Sequence, residues 1–150
     1  MEKLFITLIV ATMLVSCKST HGVAKADTAE LKANMISEQF VEANKWELVK
    51  FKGANPKEMG FTHKTPTLVI NKSENRVGGN SGCNSFGGEL IIEDNTIRFD
   101  KIFSTKMYCD GVPEREFFQL LEHSLQYQFE ANTLQLLKEN TVVLEFKKVE

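Results

Sequence analysis

QYQFEANTLQLLKENTVVLEFK, residues 126–147, is the stretch that decides the fold. Apolar and polar side chains alternate through most of it, and a period of two is typical of a β-strand with one buried face. Two short pairs, Ala131-Asn132 and Glu139-Asn140, interrupt the alternation and predict turns. The predicted strands are 126–130, 134–137 and 141–147. Three consecutive strands joined by tight turns form an antiparallel meander, so the chain is expected to end in one.

One helix is predicted just before this meander. Pro113 fits the first turn of a helix, where its missing N–H costs nothing. Apolar residues then recur at helical spacing and form one buried stripe, which consists of Phe117, Leu120, Leu121 and Leu125. The helix is therefore expected to run from 113 to 124.

Short β-like runs separated by turn residues fill the region from residue 45 to the helix. The predicted strands are 46–51, 67–70, 76–79, 89–92 and 96–99, with a brief extension at 102–104. Strands with a single helix predict an α+β fold, namely a curved, barrel-like antiparallel β-sheet with one main helix packed on it.

Composition and charge limit the classes of function. The chain has 150 residues, of which 42% are hydrophobic and 25% charged, a normal balance for one globular domain. The net charge is −2, without the basic excess or basic stripe by which proteins neutralise phosphates. We therefore expect no nucleic-acid partner.

The N-terminus predicts export. A short charged start precedes an apolar run from Leu4 to Val15, which as a helix rises only about 18 Å and is too short to span a ~30 Å hydrocarbon core. The run ends in Leu14-Val15-Ser16-Cys17, which resembles the lipobox of bacterial lipoproteins. That resemblance implies removal of residues 1–16 as a signal peptide and acylation of Cys17, for instance with palmitate, as a membrane anchor. A plain signal peptide with a chance cysteine is the alternative.

Residues 17–43 are expected to tether the folded domain, 44–150, to the membrane. Residues 29–43 form either a short amphipathic helix, because Leu31, Met35, Ile36 and Phe40 have helical spacing, or a loose spacer. Lys18 follows the cysteine and no acidic residue stands close behind it. This pattern predicts the periplasmic face of the outer membrane.

Two cysteines remain for the domain, Cys83 and Cys109. An even number in an oxidising compartment favours a disulfide, with two buried free thiols as the alternative. The spacing lacks the CxxC pattern of a redox pair. A zinc site that combines the cysteines with His63 and His123 is disfavoured because zinc ligands usually come in closely spaced pairs. We predict no metal and no cofactor.

More than half of the chain's nine glycines lie within residues 78–88. Glycine permits unusual backbone angles and close approach, so this segment is expected to form a bulged, tightly turned loop. It does not match a phosphate-binding loop, because Glu89 and Leu90 stand where a lysine and a hydroxyl are required. The dinucleotide-binding and nucleophile-elbow patterns are absent as well.

Two motifs lie in the second half of the chain, GCN and T-x-M-x-C, and Glu116 and Phe117 follow at the start of the predicted helix. The residues of the two motifs and their surroundings are Gly82, Cys83, Asn84, Phe86, Gly88, Ser104, Thr105, Lys106, Met107 and Cys109. Together with the opening strand at 46–48 and the closing strands at 134–136 and 143–146, these positions resemble the META-domain family, which includes heat-inducible bacterial envelope lipoproteins of the HslJ type. The resemblance implies a compact α+β fold associated with envelope stress, and it assigns no catalytic residue.

Most of these motif residues are interpreted as structural. Special backbone geometry is expected at Gly82, Asn84 and Gly88. A disulfide or small core positions are expected for Cys83 and Cys109. Burial in the core is expected for Phe86 and Met107. Thr105 and Lys106 are expected at the surface. The predicted function is that of a non-enzymatic envelope lipoprotein, in stress response or assembly, that binds a protein or an apolar ligand. The alternatives are a secretin-pilot-like or lipid-binding lipoprotein and, less favoured, a thiol enzyme using Cys83 or Cys109 with His63 or His123.

Overall fold

Alternating apolar residues produce eight strands, which the structure, a computed structural model, describes within residues 44–149. The elements are β1 (Asn44–Phe51), β2 (Thr67–Asn71), β3 (Arg76–Asn80), β4 (Ser85–Glu93), β5 (Thr96–Ser104), α1 (Glu114–Glu122), β6 (Leu125–Glu130), β7 (Thr133–Lys138) and β8 (Thr141–Val149). The predicted signal peptide, Cys17, the tether and the 29–43 segment lie outside the described residues.

The strands form a closed antiparallel barrel. Each strand pairs with the next one in the chain, and β1 closes the ring by pairing with β8, with Leu48 opposite Phe146. The weakest seam lies between β5 and β6, which share only the pairs Thr96–Gln126 and Ile97–Leu125. Helix α1 connects these two strands and packs on β5, so it covers the side where they diverge. The predicted barrel-like sheet with one packed helix is confirmed.

Inward-facing side chains from all eight strands fill the barrel as one hydrophobic core. Phe117 of α1 joins it, and its ring packs edge-to-face against Phe61 and Phe86. Such aromatic pairs add to the stabilisation from buried area. The interior is therefore a packed core.

The glycine-rich segment was expected to be a loop, and this expectation is wrong. Only residues 81–84 turn, while Gly78 lies opposite Gly87 in the β3–β4 ladder. Glycine permits the close packing: a Cβ on Gly88 would lie 2.9 Å from the carbonyl oxygen of Asp100. Strand β4 consequently begins at Ser85, four residues earlier than the predicted strand.

Two further boundaries differ from expectation. The helix ends at Glu122, and Leu125 is the first residue of β6, where its side chain remains buried. The predicted extension at 102–104 belongs to β5, which continues past an irregularity at Lys101, a residue with φ of 49°. Within residues 44–149, no helix has both the length and the apolar character needed to cross a membrane.

Strand direction gives the barrel two distinct ends. At the N-terminal end, β1 begins at Asn44 beside Ile70, close to the β2–β3 turn (72–75). At the opposite end, called here the loop end, lie the β3–β4 turn (81–84) and the segment 105–113 that follows β5. The chain therefore enters the barrel at one end and exposes its longest motif-bearing loop at the other.

Candidate binding loop

The segment 105–113, named here the binding loop after the role proposed for it below, connects β5 to α1. A disulfide links it to the β3–β4 turn. Cys83 in the turn and Cys109 in the loop form a disulfide, with their Cα atoms 5.8 Å apart. The predicted disulfide is thus present, and the alternative of two buried free thiols is wrong. The described residues include no group of three or more His, Cys, Asp and Glu side chains arranged to hold a metal ion.

Asn84 is the centre of the contacts between the turn and the loop. Its side chain is 1% exposed, and its Oδ1 accepts hydrogen bonds from the Met107 backbone N–H at 2.7 Å and the Thr105 hydroxyl at 2.8 Å. Its Nδ2 donates to the Met107 carbonyl at 3.0 Å and to Glu114 Oε2 at 2.9 Å. An asparagine side chain has two donors and one carbonyl with two lone pairs, so this amide is fully satisfied.

The same network reaches the start of α1. Ser81 is fully buried, and its hydroxyl donates to Glu114 Oε1 while accepting from the Asn84 backbone N–H at 2.9 Å. Glu114 lies in the first helical turn, where a carboxylate interacts favourably with the positive end of the helix dipole. Turn, loop and helix are therefore held together by one polar cluster and one disulfide.

Gly82 and Phe86 of the motif have structural roles, as expected. Gly82 has φ of +96°, and a Cβ there would lie 2.6 Å from Phe61 Cδ1, so only glycine fits the turn. Phe86 is buried, and its ring packs edge-to-face against Phe117 and Phe118. These residues seat the β3–β4 turn on the hydrophobic core.

Met107 was expected in the core, and the structure contradicts this. Its side chain is 61% exposed, and that of its neighbour Tyr108 is 88% exposed. The physical reason is that Asn84 binds both the N–H and the C=O of Met107, so the main chain faces the protein and the side chain faces solvent. Thr105 and Lys106 are exposed as expected, and the Thr105 hydroxyl serves the Asn84 cluster.

His63 and His123 both lie on the surface. The thiol chemistry considered for them requires a free sulfur, and both sulfurs of the domain are in the disulfide. Three residues that hold the loop in place or form its exposed surface were not identified from the sequence. Ser81 and Glu114 resemble ordinary turn and helix residues, and nothing local reveals that Tyr108 is held outward. The GCN and T-x-M-x-C motifs were the available signal, since they mark the two segments that meet.

Comparison with known proteins places this fold in a family. The family model described as the META domain matches residues 39–150. A Burkholderia xenovorans protein solved by NMR is similar in structure, with a TM-score of 0.55 and 23% identity over 76% of this chain and 87% of that one. A DUF4847 family protein from Bacteroides vulgatus ATCC 8482, solved by crystallography, has a TM-score of 0.55 and 18% identity over 75% of this chain and 96% of that one.

At these identities the likeness to solved structures shows the fold alone. No curated protein matches the sequence. The family model carries the assignment, because it spans most of the chain and includes every strand, the helix and both motifs. The chain belongs to the META-domain family.

Proposed function

We propose that this protein is a non-enzymatic envelope lipoprotein that binds another envelope protein through the binding loop, with Met107 and Tyr108 as the contact residues. One observation carries the proposal: a loop held by a disulfide and a saturated asparagine presents two large apolar side chains to solvent. Aromatic residues and methionine are enriched at protein interfaces relative to other surfaces. A loop fixed before binding also avoids the entropy cost of ordering on association.

The packed barrel favours a protein partner over a small apolar ligand. Ligand-carrying barrels hold their ligand inside, and here the core side chains occupy the interior. The exposed apolar residues instead project outward from a rigid segment, which suits insertion into a concave surface on a partner. Binding through such an anchor is typically dominated by a few residues.

The position of the loop supports the same partner class. The chain enters the barrel at the N-terminal end, whereas the binding loop lies at the loop end. With an acyl anchor on Cys17, the membrane lies on the side of the tether. The loop is then free to face away from that membrane, toward proteins of the periplasm or of the envelope.

The envelope location, the outer-membrane leaflet and a part in stress response or assembly belong to this proposal. They rest on the lipobox-like Leu14-Val15-Ser16-Cys17, on Lys18 after the cysteine, and on the resemblance to HslJ-type lipoproteins. Labelling with palmitate tests the anchor. The wild-type chain is expected to incorporate the label and to lose residues 1–16, and Cys17→Ser is expected to do neither.

The loop is tested by photo-cross-linking in intact cells. A photoreactive residue replaces Lys106, which is exposed and directly precedes the two contact residues. We expect an adduct with a defined envelope protein that disappears when Met107→Ala and Tyr108→Ala are combined. Val69→Ala, a matched change of an exposed apolar residue on β2, should keep the adduct.

Two outcomes contradict the loop assignment. An adduct that survives the double substitution places the contact elsewhere on the domain. Adducts with phospholipid alone support the lipid-binding alternative. Because both substitutions are at the surface, the melting temperature of the double variant should stay close to that of the wild type.

A further inference from the structure

A second surface feature runs along the outside of the barrel from the N-terminal end to Phe103, two residues before the binding loop. It is a groove of about 720 Å³ on the outside of the barrel. Its wall is the β2–β3 turn from Glu74 to Arg76, its floor is β4 from Gly88 to Glu93, and Lys101 and Phe103 of β5 border it. It therefore follows the outer face of β4 toward the end at which the chain enters the barrel.

The groove exists because β3 is shorter than β4. The β3–β4 ladder stops at Arg76 opposite Glu89, and Leu90 makes one more bond, from its N–H to the carbonyl of Asn75 at 2.9 Å. The remainder of β4 continues to Glu93 with only β5 as a described neighbour. In a β-strand the N–H and C=O groups of every second residue face the same side. Those of Ile92 therefore face the same side as those of Leu90, where β3 has ended and the groove lies.

The lining of the groove combines apolar area with charges of both signs, the charges being those of Glu74, Arg76, Glu89, Glu93 and Lys101. Ile91 is half-buried and Phe103 is 69% exposed, so both have apolar area left to cover. Arg76 forms no ion pair with any residue from 44 to 149. Lys101 instead binds Glu89 at 2.8 Å, and this hydrogen bond raises the pKa of the lysine. The groove suits an apolar segment that carries charges of both signs.

We propose that residues 31–40 of this same chain bind in the groove, with Ile36 and Phe40 against Ile91 and Phe103. The segment contains four large apolar residues in ten positions and the acidic Glu38, which can approach Arg76. It also carries Lys32, opposite in charge to Glu74 and Glu93 of the groove, and only three residues separate it from β1.

The distances allow this contact. The chain enters at Asn44 beside β2, and β4 lies three strands away from β1, or about 14 Å at the usual strand spacing. Phe40 precedes Asn44 by four residues, and an extended chain of four residues spans about 14 Å. Ile36 has twice that reach, which extends to Phe103 on β5, four strands from β1 or about 19 Å. Binding would thus occupy the groove without strain and would leave residues 18–30 as the free linker.

Such binding would shorten the tether. A flexible chain of 13 residues has a root-mean-square length of about 20 Å, compared with about 28 Å for all 26 residues from 18 to 43. The domain would then stay closer to the membrane and change its orientation less. This inference does not depend on the binding loop, so either proposal can fail without the other.

Hydrogen exchange of the mature protein, purified in its full processed form, tests the proposal. The combination Ile36→Ser with Phe40→Ser is expected to speed exchange of the 88–93 peptide at least about tenfold, while peptides of β8 are unchanged. Asn34→Ser with Ser37→Ala, a matched pair of polar changes in the same segment, should leave the exchange of 88–93 as in the wild type.

A reciprocal variant provides the second measurement. Phe103→Ser changes only the groove side, and it is expected to speed protease cleavage within residues 31–40 at least about fivefold at an unchanged melting temperature. Equal exchange of the 88–93 peptide in the wild type and the double variant overturns the proposal. Protection that appears only at higher protein concentration also overturns it, because the occupant would then be a second copy of the chain.

Discussion

Replacing Asn84 is the most direct perturbation of the binding loop. In Asn84→Ala all four hydrogen bonds of the side chain are lost, those to Thr105, to Glu114 and to the two backbone groups of Met107. The barrel core loses no apolar contact, because Asn84 belongs to the polar cluster at the loop end. The loss in free energy of unfolding should therefore measure the contribution of the polar cluster alone.

The magnitude follows from the number of bonds and their exposure. A net contribution of about 0.5–1.5 kcal/mol for each bond gives roughly 2–6 kcal/mol. Met107 and Thr105 are exposed, so water can replace part of what they lose, and this favours the lower half of the range. We expect a loss of about 2–4 kcal/mol. Asn80→Ala is the control, because that buried side chain accepts one bond, from the Gly82 N–H at 2.9 Å, and should cost about 1 kcal/mol.

Asn84→Asp separates hydrogen bonding from volume. The shape is kept, but both donated bonds are lost and a second carboxylate faces Glu114. At pH 7 the loss should equal or exceed that of Asn84→Ala. The neighbouring negative charge raises the pKa of the introduced carboxyl above its ordinary value of about 3.9, so the folded variant binds this proton more tightly than the unfolded one. The stability of the variant relative to wild type should then rise as the pH falls through that pKa.

Urea unfolding of the oxidised proteins, followed by Trp46 fluorescence and far-UV circular dichroism, measures these differences. A loss below 1 kcal/mol for Asn84→Ala, or one no larger than that of Asn80→Ala, would refute the role assigned to the cluster. A pH-independent penalty for Asn84→Asp would refute the charge contact with Glu114 specifically.

Three further predictions concern the disulfide, the β2–β3 ladder and the hydrophobic core. Replacing Cys83 and Cys109 by Ala together should lower the free energy of unfolding by about 3.5 kcal/mol on the chain-entropy model for a sequence separation of 26, and reduction of the wild type should match it in urea titrations. Gly79→Ala should prevent stable folding, seen as loss of the cooperative melting transition, because a Cβ there would lie 1.9 Å from the carbonyl oxygen of Thr67. Phe117→Ala should lower the free energy of unfolding by about 3–5 kcal/mol, measured by urea titration, since its fully buried ring contacts three other aromatic rings.

The meander and the helix could be predicted because their information is local. In β8, Leu144 and Phe146 alternate with polar or half-buried residues, and the strand appears where the alternation does. The closure of the barrel has no such signal. It depends on pairing between β1 and β8, almost the whole domain apart in sequence, and no periodicity within one segment contains that information.

The glycine-rich segment shows how local reasoning can mislead. Glycine is common in loops, so 78–88 was expected to be one. In the barrel, Gly87 lies beneath the ring of Phe103, and a Cβ at this glycine would be 2.7 Å from the ring. The requirement for glycine therefore comes from a neighbouring strand. Only the three-dimensional pairing of β4 with β5 reveals it.

Met107 illustrates a second limit. Apolar residues are usual inside proteins, yet a large share of any protein surface is apolar, so hydrophobicity alone does not determine burial. What turns this side chain outward is the amide of Asn84, 23 residues earlier, which binds both main-chain groups of Met107. The two motifs could be recognised from sequence, but their joint effect on one side chain could not.

The arrangement of the two proposed surfaces bears on how the domain could work. The groove proposed for residues 31–40 runs along β4 from the β2–β3 turn to Phe103, and the binding loop begins two residues later at Thr105. Because the lining of the groove includes no residue of the loop, contact with the tether and contact with a partner do not compete for the same residues. Asn84 and the cysteine pair of the two motifs contribute little to the barrel core and instead fix the loop. Substituting Asn84 should therefore weaken partner binding while leaving the exchange of the groove peptide 88–93 unchanged, and a parallel change in both would mean that the two surfaces are coupled through the strands they adjoin, β4 and β5.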